Sequence, residues 1–328
     1  MVGIIILNFN TPDDVLNCVK SIKEKTKTEY RIYVVDNCST DDSFNIFNRE
    51  FKDDEKITLL KSENNNGFSA GNNIGIKRAI GEGCDYICVT NSDILLDNDA
   101  VTILENKLKH DPTVGVATPS IHSPNSDVEC QFARNKLDYG NFVSEKTFLK
   151  HFKSFCKKYP RYQKVDCEFE GDYKFFGMTY GCFYVAQSQF FIDTDYLDED
   201  VFLFNEEDIM AYKLENLSLY TLISPEAVVV HNHHSSINKT SIANRVYHFR
   251  VSELLVLRKY AGVSRFKLFP AIFIFKLSWF FKSLFSKDYR SLRSRYFKAL
   301  NNIKKIKKRS GLKSSNERMT AGENVKDI

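Results

Sequence analysis

The sequence predicts an α/β protein with a mostly parallel central sheet, followed by a helical and basic C-terminal extension. Short β-rich runs alternate with helical patterns over about the first 120 residues, which is typical of βαβ units. Positive charge is concentrated in the last part of the chain. With 328 residues, the chain is long enough for a large first domain and an appended region. We predict a first domain over residues 1–236 and an extension over residues 237–328.

The elements of the first domain follow from apolar periodicity. The run after Thr11 combines a capping hydroxyl, a proline at the first helical position and two acidic residues, which predicts a helix start. Apolar residues then recur at i, i+3, i+4 and i+7, so one face of this helix should pack on the sheet. The predicted strands are Val2–Leu7, Arg31–Asp36, Ile57–Lys61, Tyr86–Thr90 and Val114–Thr118.

The pattern changes after the fifth strand. Residues 121–175 are rich in aromatic and charged residues, and we predict irregular structure and hairpins there. An apolar strand-like run at Tyr173–Val185, a helix from about Glu206 and a strand at Ala227–His231 follow. From Ile237 onward the sequence predicts three helical segments, interrupted near Gly262 and near Ser286.

The net charge of +4 conceals two regions of opposite sign. Residues 239–328 contain 22 Lys and Arg against 5 Asp and Glu, whereas residues 1–238 contain 24 against 37. A basic region on an acidic body favours contact with an anionic surface, either membrane phospholipid or nucleic acid, and a merely solvated tail is the alternative. We place nucleic acid last and expect no nucleic-acid partner.

The basic region also carries an aromatic segment over residues 265–282. Its longest charge-free apolar run, Leu268–Phe275, is far shorter than the ~20 residues of a spanning helix, so we expect no bilayer crossing. Aromatic residues mixed with spaced lysines are typical of a helix lying in the lipid interface. The alternative is a helix that packs its apolar face on the first domain, and the two are compatible.

The chain is expected to be cytoplasmic. It opens with the strand Val2–Leu7, without a basic region ahead or a small-residue cleavage site behind, which favours a core strand over a signal peptide. Its eight cysteines include no C-x-x-C pair, and reduced thiols explain them.

The carboxyl ends of the predicted strands carry polar residues. Ligands bind at these ends in open parallel sheets, so the chemistry is expected there. Asn8-Phe9-Asn10 follow the first strand, and Asp36 ends the second. A carboxylate such as Asp36 can accept a hydrogen bond from an N–H group of a nucleobase, although a helix cap is an equal reading of this residue alone.

Two further strand ends favour phosphate and metal. Residues 63–73 combine asparagines and glycines at the start of a helix, where backbone N–H groups attract anions. Thr90-Asn91-Ser92-Asp93 ends the most hydrophobic internal strand, and Asp93 is suited to a hard divalent cation, with Asn91 adding an oxygen or a water-mediated contact.

In this order, the four strand ends resemble those of the family 2 glycosyltransferases with the GT-A fold, especially bacterial rhamnosyltransferase-like enzymes of polysaccharide assembly. The resemblance covers residues 2–235 and depends on the ordered set. Its metal-binding D-x-D motif is present as Asn91-Ser92-Asp93, which departs from the two-aspartate form. The resemblance assigns the nucleotide or donor to Asn8, Asn10, Asp36, Asn66, Gly67, Asn72 and Asn91.

The same resemblance extends to the acidic start of the later helix and to a late histidine. It implies that Glu207 is the catalytic base with Glu206 as neighbour, that Asp208 is the alternative base if the register shifts by one, and that His231 joins Asp93 on the metal. A carboxylate cluster at a helix start can raise the pKa of one member toward working pH. Taken alone, these acidic residues could equally serve only to stabilise the positive end of the helix dipole. His231 taken alone could be an ordinary residue at the end of a strand.

The resemblance implies an inverting, metal-dependent glycosyltransferase. The expected cofactor is Mg²⁺ or Mn²⁺, and the expected donor is a UDP-, dTDP- or GDP-sugar. The expected acceptor is a glycan, carried as a lipid-linked oligosaccharide for bacterial capsule, O-antigen or exopolysaccharide, at the inner face of the cell membrane. Two alternatives are a nucleotide-sugar or glycan binding module without turnover and a nucleotidyltransferase.

Overall fold

The computed structural model describes residues 1–124, 132–146, 162–164, 171–232 and 241–308. The strands are β1 Val2–Asn8, β2 Tyr30–Asp36, β3 Ile57–Lys61, β4 Tyr86–Asn91, β5 Ile94–Leu96, β6 Val114–His122, β7 Phe132–Arg134, β8 Tyr162–Lys164, β9 Tyr173–Phe175, β10 Phe183–Gln187 and β11 Tyr220–His231. The helices are α1 Pro12–Lys25, α2 Ser43–Glu50, α3 Phe68–Gly81, α4 Ala100–His110, α5 Tyr139–Lys146, α6 Ser188–Asp193, α7 Glu206–Asn216, α8 Ile242–Lys259, α9 Arg265–Phe285 and α10 Lys287–Ile303.

Nine of the described strands form one sheet. The path runs β3-β2-β1-β4-β10-β6-β11-β5, and β9 pairs with β11. The first four strands of this path are parallel, as are β6 and β11, which confirms the predicted α/β fold with its central parallel sheet. Strand β10 lies antiparallel between β4 and β6, so the run predicted at Tyr173–Val185 is divided between two separate strands.

Both faces of the sheet are covered, which explains why its strands are apolar at almost every position. Ile4 and Ile6 of β1 lie in the same core as the apolar face of α1, and Ile5 points to the opposite core beneath α3. The predicted inner face of α1 is buried as expected. The predicted capping role of Thr11 is wrong, because its hydroxyl donates to Asn8 Oδ1 instead of capping the helix.

The C-terminal region forms the three predicted helices, with breaks at Gly262 and Ser286. It packs directly on the rest of the chain, since Leu254 of α8 and Trp279 of α9 share one core with Ile209 of α7. The predicted boundary between residues 236 and 237 lies outside the described residues.

Helix α9 runs without interruption for 21 residues. Although its charge-free run is short, this helix is long and apolar enough, judged by length and composition alone, to cross a membrane. Its buried side chains, such as Leu268, Ile272 and Trp279, lie against the protein. The helix therefore packs on the protein with one of its faces, the face that carries these buried side chains, as the alternative interpretation expected.

Candidate active site

A cavity of about 940 Å³ opens at the carboxyl ends of β1 and β4. Its walls include the strand ends, the start of α3, the segment before β10, the loop before α7 with the start of that helix, and the first turns of α8. The volume is in the range of sites that hold drug-sized ligands. Polar or charged lining residues include Asn91, Asp93, Glu206, Glu207, His231 and Arg245.

Asp93 and His231 lie side by side in this cavity. Strand β5 pairs antiparallel with the end of β11, with Ile94 opposite His231, and this pairing brings His231 Nε2 to 3.3 Å from Asp93 Oδ1. The backbone N–H of Asn232 donates to the carbonyl of Asp93 at 2.8 Å and fixes the same turn. The sequence-predicted metal ligands are thus adjacent.

The ionisation of His231 is tied to its neighbours. Burial by itself lowers the pKa of His231, but hydrogen bonds with Asp93 and Cys182 outweigh burial and raise that pKa to about 10. His231 is therefore protonated beside Asp93, and a metal ion bound to this histidine would have to displace the proton.

The residues present fit a divalent cation in part. Asp93 Oδ2 is buried and has no hydrogen-bond partner, so this oxygen is available to a ligand. Among the described residues no group of three or more His, Cys, Asp and Glu side chains is arranged to hold a metal. Asp93 and His231 would therefore supply two ligands to such a cation, and the donor and water would complete the shell.

Glu206 and Glu207 line the cavity from the start of α7. Two consecutive residues with positive φ, Phe204 and Asn205, turn the chain into this helix. The Glu207 carboxylate lies beside Gly181, where an added Cβ would come within 3.2 Å of Glu207 Oε1. The absence of a side chain at Gly181 therefore leaves room for this carboxylate.

Asp208 occupies a different environment from its two neighbours. It is buried, and its Oδ1 accepts a hydrogen bond from the backbone N–H of Leu137 at 2.9 Å. Because successive helical residues are rotated by about 100°, Asp208 faces away from the cavity. Asp208 does not line the cavity, so its position favours Glu207 over Asp208 for the proposed role of base, and its hydrogen bond anchors the segment before α5.

The predicted nucleotide residues of the first two strands form an internal network. Asn8 Nδ2 donates to Asp36 Oδ1 and to Ser39 Oγ, both at 2.9 Å, and both Asn8 and Asp36 are fully buried. Asn10 Oδ1 accepts from the Thr40 backbone N–H at 2.8 Å. These side chains hold two strand ends together, and none of the three lines the cavity.

In the asparagine- and glycine-rich segment of residues 63–73, some residues line the cavity and others do not. Gly67 lines the cavity with φ of 98°, whereas Asn66 is exposed outside it. Asn72 is buried and donates to the Phe68 carbonyl at 2.9 Å. The Phe68 N–H donates to the Phe202 carbonyl at 2.8 Å, which couples this segment to the loop before α7.

Sequence reasoning missed the contribution of α8. Asn244, Arg245, His248 and Phe249 line the cavity, although the predicted boundary assigned this helix to the extension. Their spacing of one, three and four residues places them at neighbouring positions on one helix face. This spacing is the signal in the sequence that could have indicated a contribution of α8 to the site. His248 also stacks on Phe202 with ring centroids 4.4 Å apart.

Comparison with solved structures supports the same architecture. The crystal structure of GalNAc-T7 with UDP, GalNAc and Mn2+ matches with a TM-score of 0.54 and 15% identity, over 76% of this chain and 48% of that one. The mannosyltransferase PcManGT from Pyrobaculum calidifontis, in complex with GDP-Man and Mn2+, matches with a TM-score of 0.52 and 15% identity, over 92% and 86%. These likenesses show the GT-A fold.

The fold is that of the GT-A class, and it carries an acidic cavity at its strand ends. The chain belongs to glycosyl transferase family 2, whose model matches residues 3–178.

Curated relatives are bacterial glycosyltransferases. Glycosyltransferase GlyG of Streptococcus pneumoniae serotype 4 is 28% identical over 33% of this chain and 35% of its own length. The putative teichuronic acid biosynthesis glycosyltransferase TuaG of Bacillus subtilis is 29% identical over 28% of this chain and 36% of its own. These matches span about a third of each relative, and they support a role in glycosyl transfer.

Proposed function

We propose that this protein is a metal-dependent, inverting glycosyltransferase that moves a sugar from a nucleoside diphosphate sugar to an acceptor hydroxyl. One observation carries the proposal: Glu207, Asp93 and His231 line the same cavity, which is large enough for such a donor. A carboxylate for proton removal and a metal pair for the diphosphate are the two parts that this reaction needs.

Asp93 and His231 are the residues that would hold Mg²⁺ or Mn²⁺, with Asn91 close by at the end of β4. The cation would offset the charge that develops on the departing nucleoside diphosphate. The unpartnered Asp93 Oδ2 supports this assignment, because a buried carboxylate oxygen without a partner is costly unless a ligand satisfies it.

Glu207 is proposed as the base. Its carboxylate, beside Gly181, removes the proton of the acceptor hydroxyl, and the oxygen then attacks the anomeric carbon from the face opposite the leaving group. Inversion of the anomeric centre follows from that direction of attack. Glu206, which also lines the cavity, contributes negative charge beside Glu207.

We propose that some residues contact the nucleotide directly and that others support its binding site from behind. Gly67 and Asn91 line the cavity and would contact the donor. The buried network around Asn8, Asn10 and Asp36 would act by fixing the strand ends, as would Asn72 within α3. Asn66 would contact the donor only at the exposed rim.

We further propose that the enzyme works at the anionic inner face of a membrane on a lipid-linked glycan acceptor. Large apolar side chains of α9 are exposed at helical spacings of three and four, among them Phe266 at 76%, Phe273 at 57% and Phe285 at 90%. Because the opposite face packs on α10, with Trp279 stacked 4.0 Å from Tyr296, the helix suits an interfacial position better than a spanning one.

The names of relatives support the same setting. The matches include a putative teichuronic acid biosynthesis glycosyltransferase and a poly(ribitol-phosphate) beta-glucosyltransferase, both from bacilli. Assembly of a bacterial cell-surface polysaccharide is therefore the process that we propose for this chain.

The test is nucleotide release from UDP-, dTDP- and GDP-sugars, with and without Mn²⁺ or Mg²⁺, in the presence of a bacterial lipid extract as acceptor source. We expect metal-dependent release of one nucleotide by the wild type and its loss in Asp93→Ala. Asp53→Ala is the matched control, since Asp53 is an exposed aspartate outside the cavity. Equal release with and without a chelator would contradict the metal assignment, and wild-type silence across the panel would contradict transfer.

A further inference from the structure

Helix α8 brings a cation into a cavity whose other charged groups are mainly acidic. Arg245 lies in the second turn of this helix and is half-buried. It lines the same cavity as the carboxylates Asp93, Glu206 and Glu207. Among the described lining residues, Arg245 is the one lysine or arginine.

Arg245 differs from every other arginine whose side chain the structure describes. Within that part of the chain it is the one arginine without an ion pair, hydrogen bond or ring contact from its guanidinium group. The others each have such a contact: Arg31, Arg49, Arg78, Arg250, Arg258, Arg265, Arg290, Arg293 and Arg295. A partly desolvated guanidinium that stabilises nothing within the fold is suited to bind a ligand.

The chemistry of that ligand follows from charge and shape. A guanidinium group presents paired N–H donors that match two oxygens of a phosphate, and it stays charged at any working pH. The reaction proposed above requires a dianionic diphosphate in this cavity, where Asp93, Glu206 and Glu207 contribute only negative charge. The guanidinium of Arg245 would offset part of the negative charge that the diphosphate adds to this cavity.

We infer that Arg245 binds a phosphate group of a substrate in this cavity. The inference rests on the proposed function. The phosphate has two possible sources, the diphosphate of the sugar donor and the phosphate of a lipid-linked acceptor. Arg245 thus extends the binding site into the C-terminal helices and links those helices to turnover.

The experiment compares the wild type, Arg245→Gln and Arg245→Lys. Calorimetry measures the affinity for UDP, GDP and dTDP, for the parent nucleosides and for inorganic pyrophosphate, all with Mn²⁺. Steady-state assays give KM for the donor and for the lipid acceptor. Arg49→Gln is the control, because it removes one positive charge from an exposed site on α2. Since Arg245 makes no described side-chain contact, the variants should fold, and a thermal melt checks this.

If Arg245 binds the donor, Arg245→Gln weakens nucleoside diphosphate binding by about 10- to 100-fold and leaves nucleoside binding unchanged. If it binds the acceptor phosphate, nucleoside diphosphate affinity stays constant and the acceptor KM rises by a similar factor. Arg245→Lys should recover part of either loss, because it keeps the charge without the paired donors.

Unchanged binding and unchanged KM values in a folded Arg245→Gln variant would overturn the inference while leaving the proposed function intact. A wild type that neither binds a nucleoside diphosphate nor releases one from any donor would instead overturn the proposed function, and this inference with it.

Discussion

His231 Nε2 lies 3.3 Å from Asp93 Oδ1, although Asp93 lies in the turn before β5 and His231 ends β11, far away in the sequence. The contact exists because β5 turns back after Asp93 and pairs with the last residues of β11. The two proposed metal ligands are thereby held at the ends of paired strands, which would favour a defined metal geometry.

From this pair we predict that His231→Ala raises the Mn²⁺ concentration for half-maximal nucleotide release by about tenfold or more, since removal of one ligand weakens the site. Metal titrations of the release assay measure the shift. His110→Ala, at an exposed histidine on α4, should titrate as the wild type does. An unchanged titration for His231→Ala would remove His231 from the metal site.

Substitutions of the two adjacent acidic residues Glu207 and Asp208 of α7 should have different effects, one on turnover and the other on stability. Glu207→Gln is expected to lower kcat by about 10²- to 10⁴-fold with little change in donor KM, because it removes a general base. Asp208→Asn is expected to retain most turnover and to lower the melting temperature, because it weakens the hydrogen bond with the Leu137 N–H. Steady-state kinetics and thermal melts of both variants test this. The reverse pattern would make Asp208 the base.

Gly67 should be intolerant of a side chain. Its φ is 98°, and an added Cβ would lie 2.3 Å from the Phe202 carbonyl oxygen. Gly67→Ala should therefore lower the free energy of unfolding by more than the roughly 1–2 kcal/mol that a left-handed conformation alone costs. Gly83→Ala is the matched control, because Gly83 has φ of 83° with nothing within 4 Å. Equal losses in urea denaturation would show that Phe202 moves aside.

The exposed face of α9 should bind anionic membranes. Replacing Phe273 and Ile274 by serine is expected to weaken sedimentation with vesicles of anionic phospholipid by about tenfold or more, because two apolar side chains lose burial in lipid. Phe176→Ser, at an exposed aromatic residue outside α9, should have no effect. Equal binding of neutral and anionic vesicles would contradict the electrostatic part of the proposal.

An ion pair between the segment before α7 and helix α8 should make stability depend on pH. Burial raises the pKa of Asp198, but hydrogen bonds from Lys259 and Tyr260 outweigh burial and lower it. Because the folded pKa lies below the unfolded one, the stabilisation is complete above about pH 4 and is lost as the pH falls through the folded value. Lys259→Met should therefore reduce the free energy of unfolding at pH 7, and the deficit relative to wild type should shrink at pH 3. A constant deficit would exclude this linkage.

Much of the fold was predictable from local pattern. The strands β1 to β4 and helix α1 follow from apolar periodicity within short windows, and the start of α7 at Glu206 was predicted from its acidic residues. The apolar pattern of the sequence does not show that β9 and β10 are two strands. Both lie within one apolar run, and their separation depends on pairing with β4, β6 and β11.

The sequence by itself determined the order of polar strand ends, because the ends of parallel strands meet at one edge of a sheet whatever the loops do. Together with the resemblance to family 2 glycosyltransferases, this order indicated that Asn91, Asp93, Glu207 and His231 belong to one site. Only the tertiary structure decided which side chains reach the cavity. It buried Asp36 against Asn8, turned Asp208 toward Leu137 and brought Arg245 in from α8. Those outcomes depend on packing between distant segments, which local sequence does not encode.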